Sequence, residues 1–222
     1  MHYAAQYRAP LDAVRALVDA NPEAPGRSDE EGFTPLHLAQ GKGDDLLVVE
    51  ALLRSSGGGG GGESGGDDEG IPPNERGDSR GCLPLHLAVG NGGSPPVVAT
   101  LLRFGGRGAK VASTADHDGC LPLHHAAGCG AEAHVVEALV RAHVGAAAEA
   151  NDAGNLPLHL AAAGRAGPEV VRMILDAHRE GKDRKNVAGQ RPIDVARMAG
   201  AGDSILEILR CGEVKREPDD EL

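Results

Sequence analysis

The side chains best equipped for chemistry here are ten histidines and four cysteines. Imidazole and thiolate can hold zinc, or can pass protons when set beside a carboxylate. Four histidines, His37, His86, His124 and His159, each stand two residues after a proline, at Pro35, Pro84, Pro122 and Pro157. With Pro192, these prolines are separated by 49, 38, 35 and 35 residues. Zinc needs its ligands within about 2.0–2.3 Å of one point, whereas one histidine per interval is spread along a structure. The local group of His117, His124, His125 and Cys129 fits no zinc spacing, and Cys82, Cys120, Cys129 and Cys211 contain no CxxC pair. Neither a metal nor a cofactor is expected. The run Gly57–Gly62 lacks the Lys-Ser/Thr of a phosphate loop. The carboxylates Glu30 and Glu31 fall on a turn expected to be exposed, where burial cannot tune a pKa. These residues give no catalytic assignment, and the chain reads as a non-enzyme.

The elements that position the histidines follow from the columns around each proline. Six residues upstream stands Asp29, Asp78, Asp116, Asn151 or Asn186, and three upstream stands Gly32, Gly81, Gly119, Gly154 or Gly189. Asp and Asn can bond their own backbone two residues on, and glycine accepts a positive φ, so each stretch predicts a projecting turn. Proline suits the first position of a helix, where its missing N–H costs nothing. Leu36, Leu85, Leu123, Leu158 and Ile193 follow at +1, and Ala39, Ala88, Ala126, Ala161 and Ala196 at +4, on the same helical face. A second apolar cluster at +13, +14, +17 and +18, such as Val48, Val49, Leu52 and Leu53, has the spacing of an amphipathic helix. Each unit is thus two short antiparallel helices, neither able to bury its face alone, and repetition makes a stacked array.

Turn, glycine, Thr-Pro-Leu-His or Leu-Pro-Leu-His, alanine and a Val-Val-x-x-Leu-Leu helix together resemble the ankyrin repeat. The resemblance covers residues 1–212 apart from an insertion. It implies an all-α, ankyrin-type helical solenoid of paired antiparallel helices with projecting β-turns. It also implies that the motif histidine ties turn and helix by hydrogen bonds, and that Thr34, Pro35, His37, Pro84, His86, Pro122, His124, Pro157, His159 and Pro192 are scaffold. The motif threonine survives only at Thr34. Leu83, Leu121 and Leu156 replace it, so three helices lose an N-cap worth about 1 kcal/mol each. The repeated leucine predicts a compensating apolar contact between neighbours.

The register divides the chain. Residues 1–53 hold a truncated first repeat, with His2 in the histidine column, and a second repeat. Residues 54–77 form a Gly-rich acidic insertion expected to be disordered. Its closure costs about 0.8 kcal/mol more than a ten-residue connection. Residues 78–212 hold four further repeats, the last reading as a cap because Asp194, Arg191 and Arg210 bring charge to motif positions, and 213–222 is an acidic tail. The first repeat lacks its turn and proline, which keeps a second expectation open: a fragment forming the regulatory or targeting arm of a larger enzyme or channel.

A net charge of -11 argues against nucleic acid and anionic membranes as partners. No stretch reaches the roughly 18 apolar residues of a membrane span. Cysteine usage predicts a reducing compartment, cytoplasm or nucleus. The expected function is a protein–protein interaction module working through its turns and concave face. The residues that differ between turns would carry the binding: Glu30, Glu31, Phe33, Arg80, His117, Asp118, Asp152 and Asn155. Their charge predicts another protein with a basic segment as partner.

Overall fold

The structure, a computed structural model, describes residues 1–40, 45–55, 71–163 and 166–211. Its helices pair as the columns predict. The first three pairs are α1 (His2–Gln6) with α2 (Leu11–Ala20), α3 (Pro35–Leu38) with α4 (Leu46–Ser55), and α5 (Pro84–Gly90) with α6 (Pro95–Arg103). An extra helix α7 (Gly108–Ser113) precedes α8 (Pro122–Cys129) and α9 (Ala133–Ala142). The last pairs are α10 (Pro157–Ala162) with α11 (Pro168–Ala177), and α12 (Pro192–Ala199) with α13 (Asp203–Cys211). No strand occurs among the described residues, and no helix there is long and apolar enough to cross a membrane. The fold is an all-α repeat array.

First helices pack on first helices, in the order α1, α3, α5, α8, α10, α12. Second helices pack likewise, in the order α2, α4, α6, α9, α11, α13. The core runs between the two layers. Leu36, Leu85, Leu123 and Leu158 are buried under the first layer, and Ala88, Ala126, Ala161 and Ala196 have no exposed surface, which lets neighbouring helices approach closely. From the second layer come Val49, Leu52, Val97, Leu101, Val136 and Ile174, all fully buried. A groove of about 530 Å³ opens between α4 and α6, walled by Glu50, Arg54, Thr100 and Arg103.

The long connections differ from their sequence reading in two places. The glycine run and acidic cluster of the insertion, within 56–70, lie outside the described residues, as does the tail 213–222. Residues 72–76, assigned to the insertion, are at least partly buried. Pro73 and Asn74 are buried in a 3-10 turn over Pro73–Glu75, and the Asn74 amide donates to the Leu101 carbonyl at 3.2 Å. The thirteen-residue connection after Leu102 builds α7, which buries Val111 and Ala112. Its glycines masked the helix in the sequence; Gly105 and Gly106 take positive φ just before it.

Candidate functional site

The turns are the part of each unit that reaches beyond the helices. In each, the leading side chain closes the loop. Its Oδ1 accepts the N–H four residues on, at 2.7 Å for Asp29, 2.9 Å for Asp78, 2.8 Å for Asp116, 2.9 Å for Asn151 and 2.9 Å for Asn186. The bond expected two residues on is made as well by Asp78 and Asp116, to the N–H of Arg80 and Asp118. This leading residue is therefore scaffold in every copy. The central glycines all take positive φ. At Gly154 a Cβ would also stand 2.8 Å from the Val187 backbone nitrogen, so the neighbouring turn excludes a side chain as firmly as φ does.

The neighbouring turns are joined to one another. The Glu31 carbonyl accepts from Ser79 N–H at 3.0 Å, Arg80 from His117 at 2.8 Å, Asp118 from Asp152 at 3.1 Å and Ala153 from Val187 at 3.0 Å. The motif histidines add a second set of bonds across each joint. Leu83, Leu121 and Leu156 N–H groups donate to Nδ1 of His86, His124 and His159 at 2.9, 3.0 and 3.0 Å. Nδ1 is thus an acceptor, which leaves the ring proton on Nε2. Nε2 donates to a carbonyl of the next turn: His37 to Cys82, His86 to Cys120, His124 to Asn155 and His159 to Gln190, all at 3.0–3.1 Å. His2 does the same to Phe33 at 3.0 Å, which fixes the register of the first unit. Both nitrogens are in use only in the neutral ring. Burial holds His37, His124 and His159 below the usual imidazole range and takes His86 to about 4, with the neighbouring His125 pushing the same way.

Thr34 caps α3, its Oγ1 accepting from His37 N–H at 3.4 Å, and its hydroxyl lies 2.8 Å from His37 Nδ1, bonds leucine cannot make. Leu83, Leu121 and Leu156 are instead almost fully buried. In the last unit Asp194 stands in the histidine column. Its carboxylate accepts Arg191 N–H at 3.0 Å and the Arg191 guanidinium at 3.1 and 3.3 Å, which holds it below the usual carboxylate range.

On this scaffold, Glu30, Glu31, Arg80, His117, Asp118 and Asp152 are exposed, all on turns. Arg80 folds back to Asp78, 3.2 Å away. His117 lies against Gly81, where a Cβ would stand 2.7 Å from its ring. Phe33 and Asn155 are half-buried and serve the scaffold. The Phe33 ring meets His37 edge-on at 6.0 Å, and Asn155 Oδ1 accepts from the Asn186 amide at 2.8 Å. Glu30, Glu31, Asp118 and Asp152 make no ion pair among the described residues, although other carboxylates, such as Glu75 with Arg107 and Lys110, are matched.

Beside the turns runs a line of side chains that sequence reasoning missed. The +3 column of the first helices is Tyr3, Leu38, Leu87, His125, Leu160 and Val195. Tyr3 is 78% exposed and stacks on Tyr7, 71% exposed, and the others are half-buried. The signal was available, because +3 is an apolar column beside the +1 and +4 pair of the core face, half-buried where Leu38 and Leu160 pack against the core edge.

One member of that column breaks the pattern. His125 Nε2 lies 2.8 Å from Asp116 Oδ2, and the Cys82 thiol donates to the same oxygen at 3.8 Å. Burial, then the charges of Asp78 and Asp116, push the Cys82 thiol up to about 11. Burial alone would raise Asp116, but bonds from His125 and from the N–H groups of Cys120 and Asp118 bring it below the usual range. The sequence grouping of His125 with His124 and Cys129 is not seen: His124 faces Asn155 and Cys129 is exposed. Cys82, Cys120 and Cys129 are free thiols.

A family model described as ankyrin repeats, in three copies, matches residues 1–115 and 85–186. No curated protein matches the chain.

Proposed function

Because the chain belongs to the ankyrin repeat family, whose members are generally protein–protein interaction modules, we propose that it is a non-catalytic binding scaffold that takes a basic, extended segment of its partner along the line of turns. The supporting observation is that Glu30, Glu31, Asp118 and Asp152 are exposed, unmatched by cations among the described residues, and held by backbone bonds that run from turn to turn. A fixed row of like charges attracts an extended cation and speeds its encounter. The half-buried Leu38, Leu87 and Leu160 alongside offer apolar contact to the alternate side chains of such a segment. The basic residues Arg184 and Lys185 are exposed at the far end and set the orientation, favouring the first four turns for the basic part.

The test is a fluorescence titration of the chain with a labelled peptide of alternating Lys/Arg and Leu, beside its Glu/Leu counterpart, at low and high salt. The basic peptide should bind, lose affinity steeply as the Debye length shrinks, and bind weakly to a Glu30→Gln, Glu31→Gln, Asp118→Asn, Asp152→Asn variant. Equal binding of both peptides, or indifference to salt, would overturn the proposal.

A further inference from the structure

The joint between the third and fourth units carries a set of side chains that no other joint has. Cys82 comes from the turn of the third unit, and Asp116 and His125 come from the turn and first helix of the fourth. One ligand-capable atom from each lies within 4.8 Å of the others. We infer that Cys82 Sγ, Asp116 Oδ2 and His125 Nε2 form a binding site for a divalent cation of the zinc class, which would staple two repeats together, with water completing a four-coordinate shell.

Ligand chemistry and geometry both fit. Thiolate, imidazole and carboxylate are the three side chains zinc takes. A tetrahedral ion at its usual bond lengths sets ligand atoms about 3.3–3.7 Å apart. The sulfur-to-oxygen separation is already 3.8 Å, the nitrogen must retreat from the oxygen by less than 1 Å from its present 2.8 Å, and sulfur and nitrogen, within 4.8 Å of each other, need close by no more than about 1.5 Å. Asp116 is anchored for the task, since its other oxygen accepts from Cys120 and Asp118 N–H. The His125 ring is braced edge-on against His86 at 5.2 Å. Its side chain is 29% exposed, which opens the site on one side. Asp78, whose side chain is fully buried, adds a second negative charge near the sulfur. Binding releases the thiol proton to solvent and moves the imidazole proton from Nε2 to Nδ1, so that the ion meets a thiolate and a neutral ring.

The neighbouring joints act as internal controls. One step back, the same three columns read Phe33, Asp78 and Leu87; one step on, they read Cys120, Asn151 and Leu160. In the latter the Asn151 amide donates to Cys120 Sγ at 3.2 Å, a hydrogen bond with no room for an ion's chemistry. A scaffold needs only an apolar residue at +3, and Leu38, Leu87, Leu160 and Val195 supply one. His125 departs from that column at the one joint where cysteine and aspartate already meet.

The test is to add Co2+ and, separately, Zn2+ to the full-length, thiol-reduced chain after chelator treatment. Bound metal is counted after desalting, with the thiolate-to-cobalt charge-transfer band and the melting temperature recorded. One ion per chain is expected, with the band present and a melting shift of roughly 5 °C upward at a hundredfold excess over Kd. The band should vanish in Cys82→Ser and His125→Leu and persist in Cys120→Ser. His125→Gln keeps a donor for Asp116 and so preserves a purely hydrogen-bonded role; it too should lose the band. Circular dichroism checks that each variant folds. No band in the parent chain, or one that survives Cys82→Ser or His125→Gln, would sink the assignment.

Discussion

Each motif histidine works at both nitrogens, and this gives the chain a pH response. The folded values of His37, His86, His124 and His159 lie below the value near 6.5 of an unfolded chain. Between the two values the unfolded state binds more protons, so stability is full above about pH 6.5 and is lost as pH falls. For His86 the window reaches down to about 4. Each ring contributes up to about 1.4 kcal/mol per pH unit inside its window. The urea midpoint should therefore fall steeply between neutral and mildly acidic buffer; an unchanged midpoint would mean that the rings are not held neutral. The turn glycines make a second residue-scale prediction. Gly154 faces the next turn and Gly189 faces nothing among the described residues within 4 Å, although both have positive φ. Gly189→Ala should cost about 1–2 kcal/mol, the left-handed penalty alone. Gly154→Ala should cost at least twice that in chemical denaturation, because backbone must also move.

At the scale of the element, the leucines that replace threonine decide how the first helices begin. Leu121 is 2% exposed, so exchanging it removes buried apolar surface. Leu121→Thr regains a cap worth about 1 kcal/mol and loses a core side chain worth about 2–5 kcal/mol to truncation. The net loss should be about 1–4 kcal/mol; a raised melting temperature would show that the leucine column packs poorly. The helices themselves were legible in the sequence because Pro, Leu, Ala and the Val-Val-x-x-Leu-Leu run recur in phase. Helix α7 was not, because Gly105, Gly106 and Gly108 read as loop while the burial of Val111 and Ala112 depends on neighbours far along the chain. Glu30, Glu31, Arg80, His117, Asp118 and Asp152 were legible as exposed turn positions, whereas Phe33 and Asn155 are half-buried. The meeting of Cys82, Asp116 and His125 was not, since it joins three different columns across a joint, 43 residues from end to end. The second role of each histidine was hidden for a related reason: its acceptor is a backbone carbonyl, which no side-chain pattern announces.

The whole molecule is a row of joints without a central core, so its stability should be distributed along its length. Joints differ in quality. A groove opens between the second and third units, whereas α8 to α11 have packed neighbours on both sides. Amide exchange should therefore be slowest in α8 to α11 and faster in α3 and α4. Uniform protection from end to end would contradict this. The histidine bonds also give the row a direction. Every one runs from a helix to the turn that follows it, never backward. Asp194 holds the same place in the last unit, but a carboxylate has no hydrogen to give. In the language of polymers, each earlier histidine is a coupling group that hands the chain on to the next unit, and Asp194 lacks the hydrogen for that coupling. Asp194→His would restore the group, and a further unit grafted behind it should then raise the melting temperature more than the same graft behind Asp194.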